Sequence, residues 1–158
     1  MAEFAYNPVQ LVEPNQNIIL DTVIPCNKGY VFHRDQSGIV ILRGVVNCPQ
    51  ACFARYQVTF NGNIALENGA DIGPISIALA IDGEPVQTSR AIVTPAETAE
   101  DPVTQANFFN VTSTAIITVP RCCCFTVAVE NTSGPAIPGG VAPEILVQNA
   151  NLTVARIS

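Results

Sequence analysis

Tryptophan is absent from these 158 residues, methionine and histidine occur once each, and Lys28 is the single lysine. Without tryptophan, and with three tyrosines, the chain has few aromatic platforms on which a sugar ring would stack. Seven basic residues, scattered as far as Arg156, form no stripe along which a phosphate backbone would lie, so nucleic acid is not an expected partner. No apolar run approaches the roughly 20 residues of a membrane-spanning helix, so no membrane is expected either. Charged residues make up 13% of the chain and the formal charge is −6. That is about half the usual charged fraction, and so lean a surface is expected to be covered by other subunits.

The chemistry of catalysis is also missing. His33 stands in "YVFHRD" with Asp35 two residues on, yet no GxSxG or other nucleophile context accompanies it, so it reads as a surface or interface histidine. Glu97, Glu100 and Asp101 gather in one segment without the ordered spacing of a calcium loop, which fits solvation of that loop. Glycine-rich phosphate loops are absent. No enzyme activity, cofactor or resident metal is expected.

What is present is period-two alternation, cut at short intervals by twelve prolines and ten glycines. This is the pattern of an all-β chain. "NIILDTVI" (17–24) reads as a first strand, "GYVFH" as a short second and "GIVILRGVV" as a third. "CFARYQVTFNGNIAL" sets Phe53, Tyr56, Val58 and Phe60 toward one face, and its Asn61-Gly62 predicts a bulge or a turn. "PISIALAIDGEPV" points Ile75, Ile77, Leu79 and Ile81 inward, and Asp82-Gly83 predicts a hairpin whose return strand runs from about Val86 to Val93. "PAETAEDPVTQA" (95–106) reads as an exposed loop, followed by "FFNVTSTAIITVP", "CCCFTVAVENTSG", a Pro/Gly linker and two closing strands. About nine strands in one domain imply two packed antiparallel sheets, and the jelly roll is the expected topology. Alanines at outward positions, Ala78, Ala80, Ala128 and Ala155, are expected to face another subunit.

The phrases "VTFNGNIAL", "GPISIALAIDGEPV", "STAIITVPRCCCFTVAVENTSG" and "VQNANLTVARI" resemble the stand-alone C1q/TNF-like jelly-roll proteins of Firmicutes and their phages. These are similar to the C-terminal domain of collagen-like exosporium proteins. The resemblance covers residues 15–158 and implies a ten-strand sandwich in a compact homotrimer, its inner sheet packed about the threefold axis. By strand order it assigns that inner sheet to residues 17–24, 30–33, 55–64, 122–130 and 152–157. Tyr56, Val58, Phe60, Cys122, Cys124, Thr126 and Ala128 then become trimer-interface candidates. A Gly-X-Y stalk is lacking, so something else must attach the trimer. Residues 1–14, "MAEFAYNPVQLVEP", read as an extended anchoring arm carrying Phe4, Tyr6, Pro8, Val9, Leu11 and Val12.

Six cysteines remain. The opening "MAEFAYNPVQ" has no basic or apolar signal region, which predicts cytoplasmic synthesis and reduced thiols until the product leaves the cell. In a strand, Cys122 and Cys124 share a face and Cys123 takes the other with Phe125 and Val127, so the triplet cannot hold one tetrahedral ion. Cys123 is expected to fill core, and Cys122 and Cys124 to be wall material between subunits. Cys48 and Cys52, in "CPQAC", fall within zinc-ligand spacing and Cys26 follows Pro25 in a nearby loop, but disulfides formed after release are the expected use of the three. Together these readings predict a trimeric, non-enzymatic decoration protein, a head fibre or cement protein, on the virion surface of a bacteriophage. Its partner is the major capsid protein or another particle surface, reached by the arm. The alternative is a cysteine-crosslinked structural protein of a spore surface, in the exosporium or an appendage.

Overall fold

The computed structural model describes residues 1–24 and 29–158. Two six-stranded antiparallel sheets pack face to face. The first runs in the order β10 (Phe109–Pro120), β6 (Phe53–Leu66), β12 (Ile145–Arg156), β1 (Ala2–Tyr6) and β3 (Thr22–Ile24), with β2 (Gln10–Val12) beside the start of β12. The second runs β4 (Val31–His33), β5 (Val40–Arg43), β11 (Cys124–Asn131), β7 (Ile75–Ile81) and β8 (Glu84–Pro85), with β9 (Ala91–Val93) also on β7. Among the described residues the one helical element is a 3-10 turn at Gln87–Ser89. No described helix is long and apolar enough to cross a membrane.

Alternation builds the core as the sequence suggests. On β6, Ala54, Tyr56, Val58, Phe60, Ile64 and Leu66 are fully buried, and across the interlayer they meet Leu42, Ile75, Ile77, Leu79, Val127 and Val129. Burying such side chains contributes about 1.5–3 kcal/mol each. Phe53 departs from this pattern, lying on the opposite face and 40% exposed. Its parity with Arg55 and Gln57, rather than with Tyr56, decides the matter.

Asn61-Gly62 makes no turn, and β6 runs through it to Leu66. The irregularity falls instead on the facing strand, where the register of β12 against β6 shifts between Gln148 and Asn151. Asn149 takes a left-handed φ of 53° there, a conformation asparagine tolerates. The extra residue reverses the phase of β12, since Ile145 and Val147 point into the core before it and Ala150, Leu152 and Val154 after it. Gly62 leaves space for a ring, because a Cβ there would lie 2.8 Å from Cζ of Phe60.

The Asp82-Gly83 hairpin forms, with both residues at positive φ. Its return strand is broken. Glu84–Pro85 and Ala91–Val93 pair with β7 separately, and the intervening turn buries Ser89, whose Oγ accepts from the Leu79 amide at 3.0 Å. Proline at position 85 lacks the amide a continuous strand needs.

Three further expectations are corrected by pairing. Residues 1–14 are not a separate arm, because β1 lies between β12 and β3, Phe4 and Val12 are buried, and β2 continues along β12. Residues 17–24 are not one strand. Asn17 bridges Glu130 in the second sheet, Ile18 and Leu20 enter the core, and the chain then crosses to β3 in the first. The grouping of 30–33 and 122–130 with 55–64 and 152–157 also fails, since β4 and β11 belong to the second sheet and β6 and β12 to the first. The outward alanines Ala78, Ala80 and Ala128 are already buried within the chain.

Candidate self-association face

The outward side of the first sheet is a regular surface crossed by its longest strands, β6, β10 and β12. Register fixes which side chains stand there, because residues opposite one another across an antiparallel pair share a face. One row reads Thr114, Thr59, Thr153, Glu3 and Ile24, and the next reads Thr112, Asn61, Asn151, Ala5 and Thr22. Toward one end follow Ile116, Gln57 and Ala155, then Thr118 and Arg55, with Ile157 bonded through its amide to the Arg55 carbonyl.

Neutral side chains dominate these rows, and Arg55 and Glu3 are the charged ones. The hydroxyls of Thr59 and Thr114 lie 3.0 Å apart, Asn61 donates to Thr112 at 3.0 Å, and Asn110 donates to Asn61 and Asn63 at 3.0 and 3.1 Å. Asn151 donates to the carboxylate of Glu3. Cross-strand pairs of this kind hold the side chains flat against the sheet. At the end bearing Arg55 the surface turns apolar, with Ile116 66%, Ile157 48% and Phe53 40% exposed. At the other end the segment after β9 covers it, and Ala99 and Phe108 pack on Ala65 and Leu146.

The interface candidates named from sequence fall elsewhere. Tyr56, Val58 and Phe60 point into the core with no exposure. Thr126 lies on β11 in the second sheet, donating through its amide and hydroxyl to Asp82 at 2.9 and 3.1 Å, and Ala128 on the same strand is buried. The sequence signal for this outward surface is the uncharged parity of Gln57, Thr59, Asn61 and Asn63 against Thr112, Thr114, Ile116 and Thr118.

Cys122 and Cys123 precede the strand rather than lying along it, and Cys124 is the first residue of β11. Pro120 to Cys123 form a turn closed by the Cys123 amide on the Pro120 carbonyl at 3.0 Å, with Cys122 at φ 67°. Cys122, Cys123 and Cys124 are all exposed and free, so Cys123 does not fill core. Cys48 and Cys52, in the segment joining β5 to β6, are exposed and free as well. Cys26 lies outside the described residues. Among the described residues no group of three or more His, Cys, Asp or Glu side chains is placed to hold a metal ion.

Of the proposed arm, Phe4 and Val12 are core, Tyr6 is half-buried, and Pro8, Val9 and Leu11 remain exposed. His33 stacks on Phe4 with ring centroids 5.3 Å apart, and its Nε2 meets the Ser37 carbonyl at 2.8 Å. Two carboxyls are held above the ordinary range: Glu130 by burial and then by the charge of Glu84, and Glu144 by desolvation and then by Glu67 and Glu13.

No family model matches the chain, and no curated protein matches it. Solved structures do. The globular domain of a zebrafish complement 1qA protein is similar at 9% identity and a TM-score of 0.53, over 99% of this chain and 97% of that one. The Eiger TNF of S. frugiperda is similar at 11% identity and a TM-score of 0.52, over 100% of this chain and 92% of that one. The fold is a C1q/TNF-like jelly roll.

Proposed function

We propose that the chain is a non-enzymatic structural protein that assembles as a homotrimer through the outward face of the first sheet and decorates the outer surface of a phage capsid. The observation that carries the reading is the uncharged, hydrogen-bonded face of Thr59, Thr114, Asn61 and Thr112 running into exposed Ile116, Phe53 and Ile157. Self-packing of such a surface desolvates few charges and buries apolar area, which favours association. The jelly-roll fold supports the threefold arrangement that the sequence resemblance implies. Attachment to the shell falls to the exposed side chains of Pro8 and Val9, between β1 and β2, and of Leu11 on β2, since Phe4 and Val12 are core.

Native mass measurement at micromolar concentration under reductant tests the assembly. The expected mass is three chains, and Thr59→Asp, which sets like charges together at the interface, is expected to give folded monomers. A monomeric parent chain overturns the reading. Binding to purified shells that lack the protein tests the location. The exposed thiols favour a second reading, a spore-surface layer of the same trimers, and gene neighbourhood separates the two: capsid, portal and terminase genes on one side, sporulation genes on the other.

A further inference from the structure

Five cysteines converge on one end of the sandwich. The segment after β5 and the turn before β11 are fastened together there: the Gly44 amide donates to the Cys123 carbonyl at 2.8 Å, and the Cys122 amide to the Gly44 carbonyl at 3.1 Å. The Arg121 amide donates to the Cys52 carbonyl at 2.8 Å and its guanidinium to the Pro49 carbonyl at 2.9 Å. The fit is close enough that a Cβ on Gly44 would lie 1.9 Å from the Pro120 carbonyl oxygen. A braced pole results, carrying Cys48, Cys52, Cys122, Cys123 and Cys124, every one exposed and unpaired.

Free cysteine is ordinarily among the most buried residue types. Five on one surface of a fold that closes without pairing them are placed for something outside the chain. The pole also adjoins the apolar end of the candidate face. Cys52 precedes Phe53, Phe53 stands opposite Pro120, and Cys122 follows two residues later. Copies packed through that face bring their poles to the same end of the assembly.

We propose that this pole is a covalent staple, its thiols forming disulfides with the same pole of neighbouring copies once the assembly has formed. The inference rests on the self-association reading above. The oxidant is a low-molecular-weight disulfide. A protein thiolate attacks one of its sulfurs, forming a mixed disulfide and releasing one small thiol; the neighbouring chain's thiolate then displaces the second. Two protein thiols give up two protons and two electrons, and the small disulfide leaves as two thiols.

The test uses the full chain, purified under reductant, then treated with oxidised glutathione and examined on non-reducing denaturing gels with disulfide mapping by mass spectrometry. Covalent dimers and trimers that revert with reductant are expected, linked through peptides containing residues 48–52 and 121–124. Cys48→Ser/Cys52→Ser and Cys122→Ser/Cys124→Ser, each checked for its β-sheet circular dichroism, are expected to diminish these species, and the five-serine variant to lose them. In a chain that is oligomeric when reduced, finding only intrachain bonds, only glutathione adducts, or links through Cys26 alone overturns the staple. A chain that is monomeric when reduced overturns the assembly reading, and the staple with it, since the proposed bonds join copies already assembled.

Discussion

Tyr56 on β6 donates its phenolic proton to the carbonyl oxygen of Arg43 on β5 at 2.6 Å, so a side chain of one sheet satisfies a backbone acceptor of the other. The ring is fully buried, and the guanidinium of Arg156 lies 4.2 Å from the Tyr30 ring beside it. Removing the hydroxyl takes its donor from this part-buried carbonyl. Tyr56→Phe is expected to lower stability by about 1 to 2 kcal/mol, read as a lower urea midpoint with an unchanged slope. An unchanged midpoint would show that this bond contributes nothing net.

Gly62 and Phe60 share the inner face of β6, and the ring occupies the space a larger residue at position 62 would need. Gly62→Ala is expected to cost about 1 to 3 kcal/mol through overpacking. The double variant with Phe60→Leu should recover part of that loss relative to Phe60→Leu alone. Strict additivity in thermal melts would place the cause outside this contact.

The sign of the pH dependence follows from Glu130. Burial, then the charge of Glu84, raises its folded pKa above the unfolded value, so the native state binds the proton more tightly. The ionised form costs stability above the folded pKa, and the cost is relieved as pH falls through that value toward the unfolded one. Glu130→Gln is expected to raise the Tm at pH 7 and to flatten the rise in Tm between pH 7 and 5. A parallel shift at both pH values would remove Glu130 as the source.

Truncation and surface substitution at the amino terminus should separate cleanly. Phe4 is buried on a strand with neighbours on both sides, so Phe4→Ala is expected to cost about 3 to 5 kcal/mol. Val9→Ser/Leu11→Ser touches exposed positions and should leave the melt within about 0.5 kcal/mol while abolishing shell binding. Retained binding in that variant would move the attachment site elsewhere.

Much of the architecture was legible in the sequence because burial alternates so regularly along β6 and β10. The hairpin at Asp82-Gly83 announced itself through turn chemistry. Sheet membership was not legible, because it depends on partners far apart in the chain, such as Phe4 opposite Leu152. A run like residues 2–12 shows its β character locally, yet nothing local says whether its partner is its own chain or another. Tyr56, Val58 and Phe60 are core rather than interface for a related reason. Large apolar residues such as Tyr56 and Phe60 serve the core first, while the exposed face is made of threonine and asparagine, whose meaning emerges once the register sets them side by side. Cys123 failed on phase, since the strand begins one residue after it.

The added residue at Asn149 divides β12 into two halves of opposite phase. Length there is therefore less negotiable than chemistry: excising one amino acid near position 149 would swing Leu152 and Val154 into solvent and drive Asn151 and Thr153 inward, whereas exchanging a side chain on either half would disturb one contact. Losing this insertion would require the half of β12 that follows it to be rewritten residue by residue, while the half before it would keep its register.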